Sequence, residues 1–152
     1  MVNIQKIGHI GLYCRDVDKM REFYTDVLGM HVADVNERGL VFLRFGADHH
    51  SFTLAPMPDD RKDAGKETVM DHLAMAVNDL EELKAAKRYL DSKGVKGDPK
   101  LRHEGAGGNY VYNFEDPEGN HLQFYCCMDQ IGWDGQSRPK EEWDRFEVDA
   151  YA

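Results

Sequence analysis

Two histidines open two similar stretches of the chain. His9-Ile10-Gly11-Leu12-Tyr13-Cys14-Arg15-Asp16 is echoed by His72-Leu73-Ala74-Met75-Ala76-Val77-Asn78-Asp79, and in both an aspartate stands seven positions after the histidine. Another histidine, His121, opens the run His121-Leu122-Gln123-Phe124-Tyr125, and a pair, His49-His50, precedes Ser51-Phe52-Thr53-Leu54. Imidazole is a ligand for divalent transition metals and a proton carrier near neutral pH. Several imidazoles brought from separate strands to one cavity are a common way to hold such a metal. A single inward histidine is more often a hydrogen-bonded core residue. Two at equivalent places of a repeated unit, flanked by small side chains, favour ligation. His31 and His103 have no such context and read as surface or loop residues. His49 reads as solvent-facing.

Strand parity decides where these side chains point. On a first strand over residues 7–14, His9, Gly11 and Tyr13 share one face and Ile10, Leu12 and Cys14 the other. A strand restarting near Met70 puts His72, Ala74 and Ala76 on one face and Leu73, Met75 and Val77 on the other. His121, Gln123 and Tyr125 likewise oppose Leu122 and Phe124. Helices need an apolar sheet face to pack on, so the bulky faces belong to the helices. The histidines then look into the open, concave side, where Gly11, Ala74 and Ala76 leave room for a ligand. Tyr13, Phe52 and Tyr125 can line it as aromatic walls; packing explains them equally well.

The elements that position these groups also repeat. Asp16 and Asp79 suit helix N-caps. The apolar spacing predicts helices over Val17–Leu28 and Leu80–Ser92, ended by Gly29 and Gly94. Strands at about Met30–Val35, Leu40–Phe45 and His50–Ala55 follow the first helix. A strand near Val95, then Asn109–Glu115 and Asn120–Cys127, follow the second, with Arg102–Gly108 as a polar, glycine-rich loop. The expected fold is α+β: two βαβββ modules, about 5–56 and 69–128, forming a curved mixed sheet with an open cleft and helices on the outer face. Residues 56–68 read as a polar linker and 1–128 as a single domain. Residues 129–152 read as a tail packed down through Trp133 and Trp143, with a short helix over Lys140–Phe146 behind Pro139.

Composition narrows the function. The 152 residues suffice for one domain with a core. A formal net charge of -9, with no lysine–arginine cluster, disfavours nucleic acid and anionic membrane as partners. The apolar runs are too short to span a bilayer and the N-terminus lacks the apolar core of a signal peptide, so a cytoplasmic location is expected. Cys14, Cys126 and Cys127 are odd in number and the last two are adjacent; all three read as free thiols packed in the core.

The paired His-to-Asp strands, the Phe23-Tyr24 and Leu28-Gly29 pairs and the ending Asp116-Pro117-Glu118-Gly119-Asn120-His121-Leu122-Gln123-Phe124-Tyr125 resemble the vicinal oxygen chelate superfamily. The segment His49-His50-Ser51-Phe52-Thr53-Leu54, with the tail from Asp129 to Pro139, resembles single-domain proteins close to the type I extradiol ring-cleaving dioxygenases. The resemblance implies Fe(II) held by His9, His72 and, where the family has a glutamate, Gln123. Another divalent metal, or none, is the alternative. It also implies His50 as the acid–base residue and Asn113 at the substrate-side position where the family has a tyrosine, Tyr112 being out of phase by one. The implied partners are a catechol-like aromatic and O2, and a homodimer is the expected assembly. A neutral Gln123 removes the anionic ligand, so a metal-free or catalytically altered small-molecule binding protein of the same fold is a second reading. A glyoxalase-type metal-dependent lyase or isomerase is a third. The fourth strand, with neither Glu nor Gln, speaks against that one.

Overall fold

Leu12 and Cys14 are buried on strand β1 (Ile10–Cys14) while Gly11 and Tyr13 are exposed, the alternation of a strand covered on one face. The computed structural model describes residues 9–47, 49–59, 72–104, 107–131, 136 and 138–152. The chain divides into two units, up to Glu67 and from Thr68, each built on its own mixed sheet.

In the first unit β1 is followed by α1 (Val17–Glu22), a π-helical turn (Phe23–Val27), β2 (His31–Val35), β3 (Val41–Arg44) and β4 (Phe52–Pro56). The sheet order is β1-β4-β3-β2, with β1 and β4 parallel and the other pairs antiparallel. Asp16 caps α1 by accepting from the Lys19 amide at 2.9 Å. Gly29, at φ 72, ends the helical segment in the left-handed region. Between them the helix is not continuous as expected. Leu28 N bonds Phe23 O, the wider spacing of a π turn, and Phe23 and Tyr24 are both buried there. The Tyr24 ring meets Phe52 of β4 at 5.3 Å between centroids.

The second unit runs β5 (Leu73–Ala76), α2 (Leu80–Ser92), β6 (Leu101–Glu104), β7 (Asn109–Glu115), β8 (His121–Cys126) and β9 (Phe146–Val148). Its order, β5-β8-β7-β6-β9, repeats the first sheet and adds an edge strand. Again the outer pair, β5 and β8, is parallel. Asp79 accepts from the Glu82 amide at 2.9 Å, and Gly94, at φ 70, ends the helix. The α2 face toward the sheet buries Leu83, Lys87 and Leu90, while Tyr112, Phe114 and Leu122 are buried on β7 and β8. Full burial of each such leucine is worth about 1.5–3 kcal/mol. Lys87 is buried because its ammonium meets Asp91 at 2.7 Å and lies 5.0 Å over the Tyr112 ring.

The α+β class stands: two mixed sheets with few helices. Several local expectations change. Near Val95 there is only an isolated bridge, Gly97 to Phe114, and the strand lies instead at β6, which overlaps the stretch Arg102–Gly108 read as a loop. His103 is therefore not a surface residue: it is buried, stacked on Phe146 at 4.7 Å, and its Nδ1 donates to the Asp144 carbonyl. In the tail, the helix is a three-residue 3-10 turn, Lys140–Glu142, because Phe146 and Val148 alternate onto β6 as β9. Ala150 is buried, whereas Trp143 is 37% exposed, so β9 and Ala150 anchor the tail rather than that tryptophan. Cys127 is exposed, contrary to a core role; Cys14 and Cys126 are buried. Burial, then Cys127 beside it, pushes the Cys126 thiol up to about 12. The expected strand starts at residue 7 and Met70, residues 60–68 of the linker and Trp133 lie outside the described residues.

Candidate functional site

The first unit gathers imidazoles at the entry to its sheet. His9, exposed just before β1, has its ring 4.6 Å from that of His50. His50 and His49 face each other through their Nδ1 atoms at 3.0 Å. Phe42 of β3 sets its edge against His50 at 5.0 Å and against His49 at 5.9 Å. Partial burial, then the neighbouring His9 and His49, holds the His50 pKa below the ordinary histidine value. These surroundings favour the neutral form of the imidazole. Tyr13 is 49% exposed on the Gly11 side of β1.

The second unit builds a cavity of about 540 Å3 on the face away from α2. Register explains its lining. Ala74, Gln123 and Asn113 stand side by side across β5, β8 and β7. Arg102 and Glu104 of β6 pair with Val111 and Asn109 of β7. His72, one residue before β5, and His121, two before Gln123, line the same cavity, as does Met128. Gln123 Nε2 donates to Asn113 Oδ1 at 2.9 Å, and Asn113 Nδ2 donates to Asp98 Oδ2 at 2.9 Å. The Arg102 guanidinium lies 3.4 Å from Asp98 and 3.8 Å from Glu104.

Of the residues picked from the sequence, the structure brings His72, Asn113 and Gln123 to this cavity, and His9 and His50 together in the first unit. Tyr125 is half-buried beside Ala76 and Val111, on the Gln123 side of β8. Phe52 is corrected: it shares the face of Ile10 and Leu54, is 3% exposed, and packs on Tyr24, so it forms no wall of a ligand site. Both ends of the Asn113 amide are engaged by protein neighbours. Tyr112 is on the helix face, where burial, then Asp91, raises its phenol far above the ordinary range. Asp98, Arg102, Glu104 and Met128 were missed. The signal for the β6 pair was the Leu101-Arg102-His103-Glu104 alternation, hidden by counting His103 as polar.

Among the described residues no three His, Cys, Asp or Glu side chains cluster closely enough to hold a metal ion. The second unit does offer one imidazole, His72, and one amide oxygen, Gln123 Oε1, to one cavity. With Nε2 engaged by Asn113, that oxygen is the end of Gln123 left to a cation. Neutral nitrogen and oxygen donors fit a divalent first-row metal, more weakly than a set with a carboxylate.

A repeated βαβββ unit, the second with a polar cavity on the face away from its helix, defines the α+β class of this chain. Residues 6–124 match the Glyoxalase/Bleomycin resistance protein/Dioxygenase superfamily, and the chain belongs to it. It is 29% identical over 125 residues to biphenyl-2,3-diol 1,2-dioxygenase 2 of Rhodococcus globerulus, covering 81% of this chain and 63% of that protein. It is 27% identical to a manganese-dependent 2,3-dihydroxybiphenyl 1,2-dioxygenase of Geobacillus genomosp. 3, covering 84% of this chain and 38% of that one. The chain thus spans less than two thirds of the length of these relatives. The crystal structure of lactoylglutathione lyase from Agrobacterium tumefaciens matches 81% of this chain and 94% of that one with a TM-score of 0.63, at 23% identity, a likeness of fold.

Proposed function

We propose that the chain is a metal-dependent protein of the extradiol dioxygenase type, acting on a catechol-like aromatic with O2. The observation that carries this reading is that His72 and Gln123 line one cavity beside the small Ala74. His72 and Gln123 are two ligands in this proposal, and His9 is the third that the family resemblance implies. Iron is the proposed metal, with manganese the alternative. When bound, the metal supplies Lewis acidity and redox capacity for ring cleavage. The chain's own residues do the rest. In the second unit Ala74 leaves space beside Gln123 for a flat ring and Tyr125 offers an apolar ring face; in the first, Gly11 and Tyr13 stand in the corresponding relation. His50 is the acid–base residue of this proposal, and with Nδ1 turned to His49 its Nε2 is the ring nitrogen through which it would exchange a proton with the substrate.

The test is metal analysis of anaerobically purified protein, followed by oxygen uptake with a panel of catechols. Near-stoichiometric iron or manganese, lost in His72→Ala and His9→Ala, and catechol-dependent oxygen uptake are expected. Protein free of divalent metal after iron- and manganese-replete expression sinks the reading. One observation favours the second reading, a binding protein of the same fold: Gln123 carries no charge where the resemblance implies an anionic ligand. Catechol binding without oxygen uptake would establish it.

A further inference from the structure

The open face of the second unit holds a row of side chains whose hydrogen-bond polarity is set from one end. Asp98 accepts from Asn113, and Asn113 accepts from Gln123, each at 2.9 Å. A carboxylate only accepts, whereas an amide has one donating and one accepting end. Asp98 therefore takes the NH2 end of Asn113 and turns the Asn113 carbonyl toward Gln123. That carbonyl takes the NH2 end of Gln123, and Oε1 is left facing away from Asn113. Asp98 is itself held from two sides: its backbone N–H donates to the main-chain carbonyl of Asn113 at 2.9 Å, and Arg102 Nη2 lies 3.4 Å from Oδ2. All four residues line the same cavity.

We infer that Asp98 is a positioning residue, which acts through Asn113 to lock the Gln123 amide with its oxygen, and not its NH2, presented to a cation. The inference rests on Gln123 being a metal ligand. An unlocked amide spends part of its time with NH2 toward the cation, and that orientation cannot ligate. The row also accounts for an amide at this position. In a Gln123→Glu variant the Asn113 carbonyl oxygen would face a second acceptor, so the two-amide row is matched to glutamine.

The experiment is an anaerobic Co2+ titration of the full chain, read by visible absorption and by calorimetry. Gln123→Ala comes first and should weaken binding; unchanged affinity overturns the ligand reading and this inference with it. Given that loss, Asp98→Asn, whose new amide can turn either end to Asn113, should weaken Co2+ binding by about 10–100-fold, the usual effect of losing a group that orients a ligand. The same substitution made on top of Gln123→Glu should cost nothing, because a carboxylate offers an oxygen whichever way it turns. Equal loss in both backgrounds overturns the inference, since it means Asp98 acts through charge or folding. No loss in Asp98→Asn while Gln123→Ala is impaired overturns it too, and leaves the ligand reading intact. Asn113→Ala is the second variant, expected to reproduce both results if Asp98→Asn does not fold.

Discussion

In the first unit the entry to the sheet gathers imidazoles and an aromatic ring: His9, His49 and His50, with Phe42 against the last two. In the second the open side adds amides, carboxylates and a guanidinium, in the row from Gln123 to Arg102, to the imidazoles of His72 and His121. The helix sides differ in the opposite sense. The first packs Tyr24 on Phe52, and among the described residues of α1 only Met20 is buried. The second buries Lys87 with Asp91 against Tyr112. What the two units keep in common is backbone: an aspartate cap, a left-handed glycine stop and a parallel outer strand pair. A face that does not pack a helix is free of the folding constraint, so its side chains can diverge toward different tasks.

The sharpest test of that equivalence is a matched pair of core deletions. Leu43→Ala in β3 and Leu122→Ala in β8 each remove a side chain that is at most 1% exposed. Each should destabilise by about 2–5 kcal/mol, read as a urea midpoint shift with hydrogen exchange locating the loss. One substitution within that range and the other near zero would break the parallel between the two cores. A smaller effect distinguishes two glycines. A Cβ on Gly97 would collide with the Tyr112 hydroxyl and stand 2.8 Å from the Asn113 carbonyl, whereas one on Gly11 meets nothing within 4 Å. Gly97→Ala should therefore cost about 1–3 kcal/mol. Gly11→Ala should fall within about 0.5 kcal/mol of wild type by the same measurement. A large loss for Gly11→Ala would mean that the first unit's open face is covered.

The parts legible in the sequence are those governed by near neighbours along the chain. Asp79 and Gly94 bracket α2 because caps and stops are local chemistry, and β7 lies at Asn109–Glu115 as its alternation predicts. The β6 strand was hidden because only one of its partners, β7, is near in sequence; the other is the tail, which reaches it through Phe146 and Val148. Phe52 was misplaced for a related reason. Its place beside Ile10 is fixed by the parallel pairing of β1 with β4, which no local pattern specifies. The inward set of His72 and Gln123 was readable from alternation alone, but the Asp98–Asn113–Gln123 row needs the register of three chain segments.

The smallest expected effect concerns the buried charge that sets the second unit's helix apart. Asp91 accepts from Lys87 at 2.7 Å, from the Tyr151 hydroxyl at 2.6 Å and from the Tyr112 hydroxyl at 3.4 Å. Burial pushes the Asp91 pKa up, but the hydrogen bonds from Lys87 and Tyr151 outweigh it and hold the carboxyl below its ordinary value. A carboxyl whose pKa is depressed by folding stabilises the fold above its unfolded value, near about 4, and loses that contribution as pH falls through the folded value. Tyr151→Phe removes one of the donors, so the variant's Asp91 titrates closer to the ordinary value. Its deficit in stability should be present at pH 7 and shrink as the carboxyl protonates in both proteins. Thermal midpoints of the two proteins, compared from neutral pH down through the carboxylate range, read this directly. A deficit of the same size at every pH would show that Tyr151 serves α2 by packing, and that the charged cluster does not reach the tail.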